Sequence, residues 1–115
     1  MELFEINITE TQGIAVCSVK GFLNDLAGAE LNDKVQALLK KGKINIVIDF
    51  TGCKVINSPG TSFISELVWI INDDFKGKVF FLGLDKLKKN VFATIGILPP
   101  AIEIENLQAA IDQIG

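Results

Sequence analysis

Polar and hydrophobic positions alternate from the start of the chain. Between Glu2 and Thr9, Leu3, Glu5, Asn7 and Thr9 alternate with Phe4, Ile6 and Ile8. That period of two marks a half-buried strand. Thr11-Gln12-Gly13 is a turn signal, and Ile14 to Val19 resumes the alternation, so the two strands are expected to form a hairpin. Gly21 to Asp25 reads as a loop. The period then lengthens: Ala27, Leu31, Val35 and Leu38 recur at spacings of 4, 4 and 3, one face of a helix. Lys40, Lys41 and Gly42 close it, with cations suited to the helix dipole and a glycine suited to the cap.

Ile44 to Phe50 is an apolar, β-branched run of the kind found in strands buried on both faces. Thr51 to Asn57 reads as a loop, and a second helix is expected from Pro59 to about Asp74. Lys78 to Leu84 is another buried strand. Asp85 to Ile95 is a short helix with Leu87, Val91 and Ile95 on one side. Leu98-Pro99-Pro100 is a loop, because proline biases its predecessor to extended geometry. Ile102 to Ile104 is a short strand. Asn106 to Ile114 is a terminal helix with Leu107, Ala110, Ile111 and Ile114 facing inward. The order β-β-α-β-α-β-α-β-α predicts a single α/β domain over residues 1–115, with right-handed crossovers and four helices on a mixed, mostly parallel sheet of about five strands.

Composition narrows the chemistry. The chain has 115 residues, 49% hydrophobic and 22% charged, with no His, no Tyr and no Arg; all 11 basic residues are Lys. Without His there is no Ser-His-Asp or Cys-His nucleophile system, no imidazole base and no HExxH zinc site. Without Arg there is no bidentate clamp on phosphate or carboxylate. An enzyme is not expected, and neither is a cofactor or a metal. The net charge of −3 argues against nucleic acid as the partner. No apolar stretch approaches the ~20 residues of a membrane span. The opening Met1-Glu2-Leu3-Phe4-Glu5 is acidic where a signal peptide is basic, so a cytoplasmic location is expected. Cys17 and Cys53 lie far apart without a CxxC pattern and are read as buried reduced thiols. Lys86, Lys88 and Lys89 read as surface charges, and Asp49 as a turn or cap residue.

The segment most able to carry function is Asp49-Phe-Thr-Gly-Cys-Lys-Val-Ile-Asn-Ser-Pro-Gly60. Ser58 stands before Pro59 and a long helical pattern, the arrangement of an N-cap followed by proline at the first helical position. On local physics alone Ser58 is a cap. On the helix that follows, Phe63, Ile64, Leu67, Val68, Ile70 and Ile71 share the core arc. Thr61, Ser62, Ser65, Glu66, Asn72 and Asp73 share the polar arc, and Trp69 falls within it. Trp69 is either a partner-binding anchor or a side chain packed under a neighbouring element.

This segment resembles the STAS domain, in particular the anti-sigma factor antagonists of bacterial partner switching. A buried strand ending in Asp is followed by a short loop and then Asn57-Ser58-Pro59-Gly60, where the family carries Asp-Ser-Ser-Gly. Gly21-Phe-Leu-Asn24 matches the family's Gly-x-Leu-Asp before the first helix. Thr94-Ile-Gly96-Ile97 matches its Thr/Ser-Gly-Leu turn. The resemblance implies a protein-binding regulatory domain whose partner is an anti-sigma factor or serine kinase, with Ser58 as phospho-acceptor. The implied contact surface is Asn24, Asn57, Ser58, Pro59, Gly60, Thr61, Ser62, Ser65 and Trp69. Asn24 and Asn57 stand where the family has Asp, on the surface that meets the kinase, and Pro59 replaces its second Ser. A phosphate on Ser58 is expected to find the N–H groups of Gly60 and Thr61. Two further readings stay open. One is a STAS domain acting as a constitutive scaffold, in a stressosome-like or transporter-associated assembly. The other is a small-ligand-binding α/β domain using Asp49 and the Gly52 loop.

Overall fold

The structure, a computed structural model, describes residues 3–114. Glu2, where the first strand is expected to begin, and Met1, at the head of the acidic opening, lie outside them.

The hairpin forms from β1 (Phe4–Thr11) and β2 (Ile14–Leu23), paired antiparallel along the whole of β1. Helix α1 (Asp25–Lys40), β3 (Asn45–Asp49), β4 (Cys53–Ile56) and α2 (Ser58–Trp69) follow, and α2 runs on into a π-helical turn at Ile70–Asp74. The chain closes with β5 (Lys78–Leu82), α3 (Lys86–Thr94), β6 (Ile102–Ile104) and α4 (Leu107–Ile114). All strands join one six-stranded sheet of order β1-β2-β3-β5-β6, with β4 beside the far end of β2. Every pairing after the hairpin is parallel, as helical crossovers require.

Two segments expected as loops are strands. β2 continues through Gly21 and Phe22 to Leu23, and Cys53–Ile56 forms β4 alongside it. The register shifts between Gly21 and Phe22. Gly21 sits at φ +82, where a Cβ would strike the Leu3 carbonyl, so only glycine fits this irregularity. β2 pairs with β3 from Ala15 to Ser18 and with β4 from Gly21 to Leu23. A four-residue strand beside a turn carries too little periodicity to be seen in sequence; its partner creates it. The sheet thus has six strands rather than about five.

Helices α1, α2 and α3 cover one face and α4 the other. The larger core joins Ala27, Leu31 and Val35 of α1, Ile64, Leu67 and Val68 of α2 and Phe92 of α3 to Cys17, Val19, Ile46, Ile48 and Phe81 of the sheet. Phe50, Phe81 and Phe92 meet at ring centroids 5.1–5.5 Å apart, within the range of favourable aromatic contacts. The second core is smaller: Ala110 of α4 packs on Ile14, Val47, Phe80 and Ile104, with Leu107, Ile111 and Ile114 partly buried beside it. α1 and α2 approach closely because Gly28 faces the Phe63 ring.

Candidate functional site

The site grows from two helix starts at one end of the sheet. Asn57 has extended backbone (φ −101, ψ 179), and its Oδ1 accepts the Gly60 N–H at 2.9 Å. Its carbonyl oxygen accepts both the N–H and the hydroxyl of Thr61, each at 2.9 Å. Asn57 is therefore the N-cap, and Ser58 and Pro59 are the first helical residues; Ser58 is not the cap that local sequence suggests. The reason is the strand before it. The Asn57 N–H bonds to the Leu23 carbonyl at 3.2 Å, and this tie to the end of β2 holds residue 57 extended. Gly60 presses on the same Leu23 carbonyl, leaving no room for a Cβ.

Asn24 repeats the arrangement one residue after Leu23. Its Oδ1 accepts the Ala27 N–H at 2.9 Å and its carbonyl the Gly28 N–H at 2.8 Å. It is buried, at 8% exposure. Either position needs an acceptor oxygen, which Asn supplies as well as Asp does. The amides at 24 and 57 thus keep the local structure while removing a charge.

Ser58 and Pro59 are exposed. Among the described residues, no hydrogen bond engages the Ser58 hydroxyl. The two N–H groups expected to receive a phosphate on Ser58 are not free: Gly60 donates to the Asn57 side chain and Thr61 to its carbonyl. Pro59 has none to give.

Beside Ser58 runs a groove of about 590 Å³ between α2 and α3, lined by Ser58, Thr61, Ser62, Ser65, Glu66 and Trp69 and closed by Val91 and Ile95. Trp69 is 44% exposed and borders this groove. The residues that sequence reading missed are those of α3. Leu87, Val91 and Ile95 share one side of the helix as expected, but Leu87 is 72% and Ile95 45% exposed, and only Val91 reaches the larger core, partly buried. The signal was present, as an apolar stripe at helical spacing, but such a stripe reads as core. Lys88 and Phe92 occupy the inner side.

Lys88 is accordingly not a surface charge. It is 4% exposed, and its Nζ donates to Asp85 Oδ2 at 2.7 Å. The other carboxylate oxygen accepts the Lys88 N–H at 2.8 Å, so Asp85 caps α3 with the same group that neutralises the lysine. The Lys88 side-chain and backbone hydrogen bonds hold the Asp85 carboxyl below its ordinary value. Burial pushes the Cys53 thiol up, against a partial lowering by the Lys88 ammonium, and pushes Cys17 up to about 12. Both cysteines are free and buried, as read from the sequence. Asp49 is a turn residue: its Oδ1 accepts the N–H and hydroxyl of Thr51 at 2.9 and 2.6 Å. Among the described residues no helix is long and apolar enough to cross a membrane.

No family model and no curated protein matches the sequence. Solved structures do. The anti-sigma factor antagonist SpoIIAA in its unphosphorylated form is 18% identical and superposes with a TM-score of 0.74 over 96% of each chain. The phosphorylated form of the Bacillus protein gives 0.76 at 18% identity, over 96% of this chain and all of the other. A putative anti-sigma factor antagonist from Thermotoga maritima gives 0.83 at 13% identity, over 95% of this chain and 93% of the other. Sheet order, helix placement and these near-complete superpositions agree: the chain has the STAS fold, in the form seen in the anti-sigma factor antagonists.

Proposed function

We propose that this chain is a non-enzymatic regulatory domain. It binds a protein partner through the start of α2 and the groove beside it, and phosphorylation of Ser58 controls the docking. The observation that carries this reading is the placement of Ser58. It is exposed on the first turn of α2, its hydroxyl is not used by the cap, and it lines a groove that also contains Trp69, Val91 and Ile95. Exposed aromatic and aliphatic side chains at the centre of a contact supply most of its binding energy. The resemblance to anti-sigma factor antagonists supports a protein partner, and in this reading it is an anti-sigma factor or serine kinase.

Phosphorylation adds about −1.5 to −2 charges and three acceptor oxygens. With the nearby helix N–H groups engaged or absent, the phosphate stays at the mouth of the groove, where Glu66 already contributes a negative charge. On a chain of net charge −3 it opposes docking of an apolar or acidic surface. A loss of about 3 kcal/mol weakens binding more than 100-fold.

The test is incubation with ATP and a serine kinase encoded beside this chain, followed by intact-mass measurement. One added phosphate is expected, and Ser58→Ala removes it. Trp69 is the only tryptophan, so its emission reports docking directly, and Ser58→Asp is expected to abolish the change. No phosphate at Ser58, with partner binding that still depends on Trp69, moves the conclusion to the constitutive scaffold. The engaged N–H groups and the amides at 24 and 57 are the features that favour that second reading.

A further inference from the structure

β1 is the edge of the sheet, and among the described residues no strand pairs with its outer side. The Leu3 carbonyl accepts the Phe22 N–H at 2.9 Å. In an antiparallel ladder this phase turns the backbone groups of Glu5, Asn7, Thr9 and Thr11 toward β2. Those of Phe4, Ile6, Ile8 and Glu10 therefore point outward. The edge is eight residues long, keeps one register with β2 throughout, and contains neither proline nor lysine. Sheet edges are ordinarily blunted by charges, lysine above all, by proline or by bulges; the only charges on β1 are Glu5 and Glu10. Two apolar side chains stand exposed beside it, Leu3 at 56% and Leu26 at 65%, among the polar Glu5, Asn7, Thr9 and Glu10. A groove of about 370 Å³ between β1 and the start of α1 includes both, together with Phe4, Ile6 and Glu30.

α1 lies along this edge in the direction of β1. Its first turns meet Leu3 to Ile6 at the groove, and just past its end Lys43 bonds Glu10 at 2.8 Å. At 100° per residue, Leu26, Glu30, Asp33, Ala37, Lys40 and Lys41 form one stripe, and all six are exposed. The stripe is acidic in its first half and basic in its second. It is thus complementary to itself when a second copy runs antiparallel.

We infer that the β1 edge and the exposed stripe of α1 form a two-fold interface with a second copy of this chain. The hydrogen-bonding phase admits an axis at Asn7, which pairs Leu3 through Thr11 of the two copies. With the axis at Asn7, Ile6 faces the partner's Ile8, Phe4 the partner's Glu10 and Glu5 the partner's Thr9. No like charges stand opposite one another on the strands, where they would be destabilising. An axis that crosses α1 near Gln36, in its second half, sets Glu30 and Asp33 of each copy against Lys41 and Lys40 of the other. Asn24 also lines the β1–α1 groove, but no residue of that groove lines the α2–α3 groove, so the dimer leaves both Ser58 hydroxyls outside its interface. The inference does not rest on the function proposed above.

Sedimentation velocity of the full chain over a rising concentration series tests it. A concentration-dependent dimer is expected. Asn7→Lys places two ammonium groups at the axis on an exposed position and is expected to raise the dissociation constant about tenfold or more. Reversing the acidic half of the stripe (Glu30→Lys with Asp33→Lys) is expected to weaken the dimer. Adding Lys40→Glu and Lys41→Glu to that variant restores complementarity and is expected to restore the dimer. Circular dichroism identifies any variant that unfolds; if Asn7→Lys does, the charge-reversal pair decides. A wild-type chain that stays monomeric at every concentration overturns the inference. So does a dimer indifferent to Asn7→Lys in a folded variant, or one that the fourfold reversal fails to recover.

Discussion

The side chain of Asn57 accepts the N–H of Gly60 across one turn at 2.9 Å, so the residues between them start the helix without Ser58 closing it. The two neighbouring side chains therefore separate in their effects. Asn57→Ala is expected to cost about 1 kcal/mol of stability in urea denaturation. Asn57→Asp keeps the acceptor, adds a charge at the positive end of the dipole and is expected to be neutral or stabilising by about 0.3–1 kcal/mol. Ser58→Ala is expected to fall within about 0.5 kcal/mol of wild type. A Ser58→Ala loss as large as that of Asn57→Ala would return the cap to Ser58.

Gly60 and Gly28 both lie at close approaches, but against different neighbours. A Cβ on Gly60 meets the Leu23 carbonyl, which β2 and the Asn57 N–H hold in place; one on Gly28 meets the Phe63 ring. A side chain has room to turn and a strand carbonyl has little. Gly60→Ala is expected to destabilise by about 2–3 kcal/mol and Gly28→Ala by less, as measured by thermal or urea unfolding.

The pairing of Lys88 with Asp85 predicts an asymmetry. Lys88→Met keeps the buried stem and removes the charge, and is expected to change stability by less than about 1 kcal/mol. Asp85→Ala removes the cap and leaves a buried ammonium without its carboxylate. It is expected to cost more, at least about 1 kcal/mol for the lost cap, measured by urea denaturation at neutral pH.

Asp85 also sets a pH dependence. Its carboxyl titrates below the ordinary 3.8 in the folded chain. Its contribution is therefore present above that value and is lost as pH falls through the lower folded value. Because the carboxylate is 57% exposed, solvent screens the effect and the loss is modest. The difference in stability between wild type and Asp85→Asn is expected to shrink on acidification below pH 3.8. A difference that stays constant there would remove Asp85 from the acid response.

Both thiols are buried and raised, Cys17 to about 12. Thiolate is the reactive form. At neutral pH an aromatic disulfide reagent is expected to label neither cysteine in the folded chain and both after unfolding in urea. Fast labelling of one site under native conditions would place that cysteine at the surface.

Much of this was legible in the chain. The period of two over β1 and β2, the four-and-three spacing of α1 and the apolar run of β3 gave these elements, because each pattern suffices to bury one face. The Asn-Ser-Pro-Gly segment stood out for the same local reasons, and its likeness to the STAS motif led to the fold. β4 was not legible, since four residues acquire a strand identity only from the end of β2. Nor was the owner of the α2 cap: Asn57 and Ser58 are both good capping residues, and the Leu23 carbonyl chooses between them.

The sequence by itself determined an α/β domain, the order of nearly all its elements, and a residue inventory poor in catalytic groups. Tertiary structure decided which surfaces matter. The stripe of Leu87, Val91 and Ile95 has the spacing of a core face, yet Leu87 and Ile95 at its ends lie exposed because Phe92 completes the aromatic cluster with Phe50 and Phe81, and Lys88 turns inward beside it. A helix can bury only one side, and the sheet it packs against selects that side. Periodicity shows that α3 has two faces; only the packed sheet decides which is left to form the groove beside Ser58.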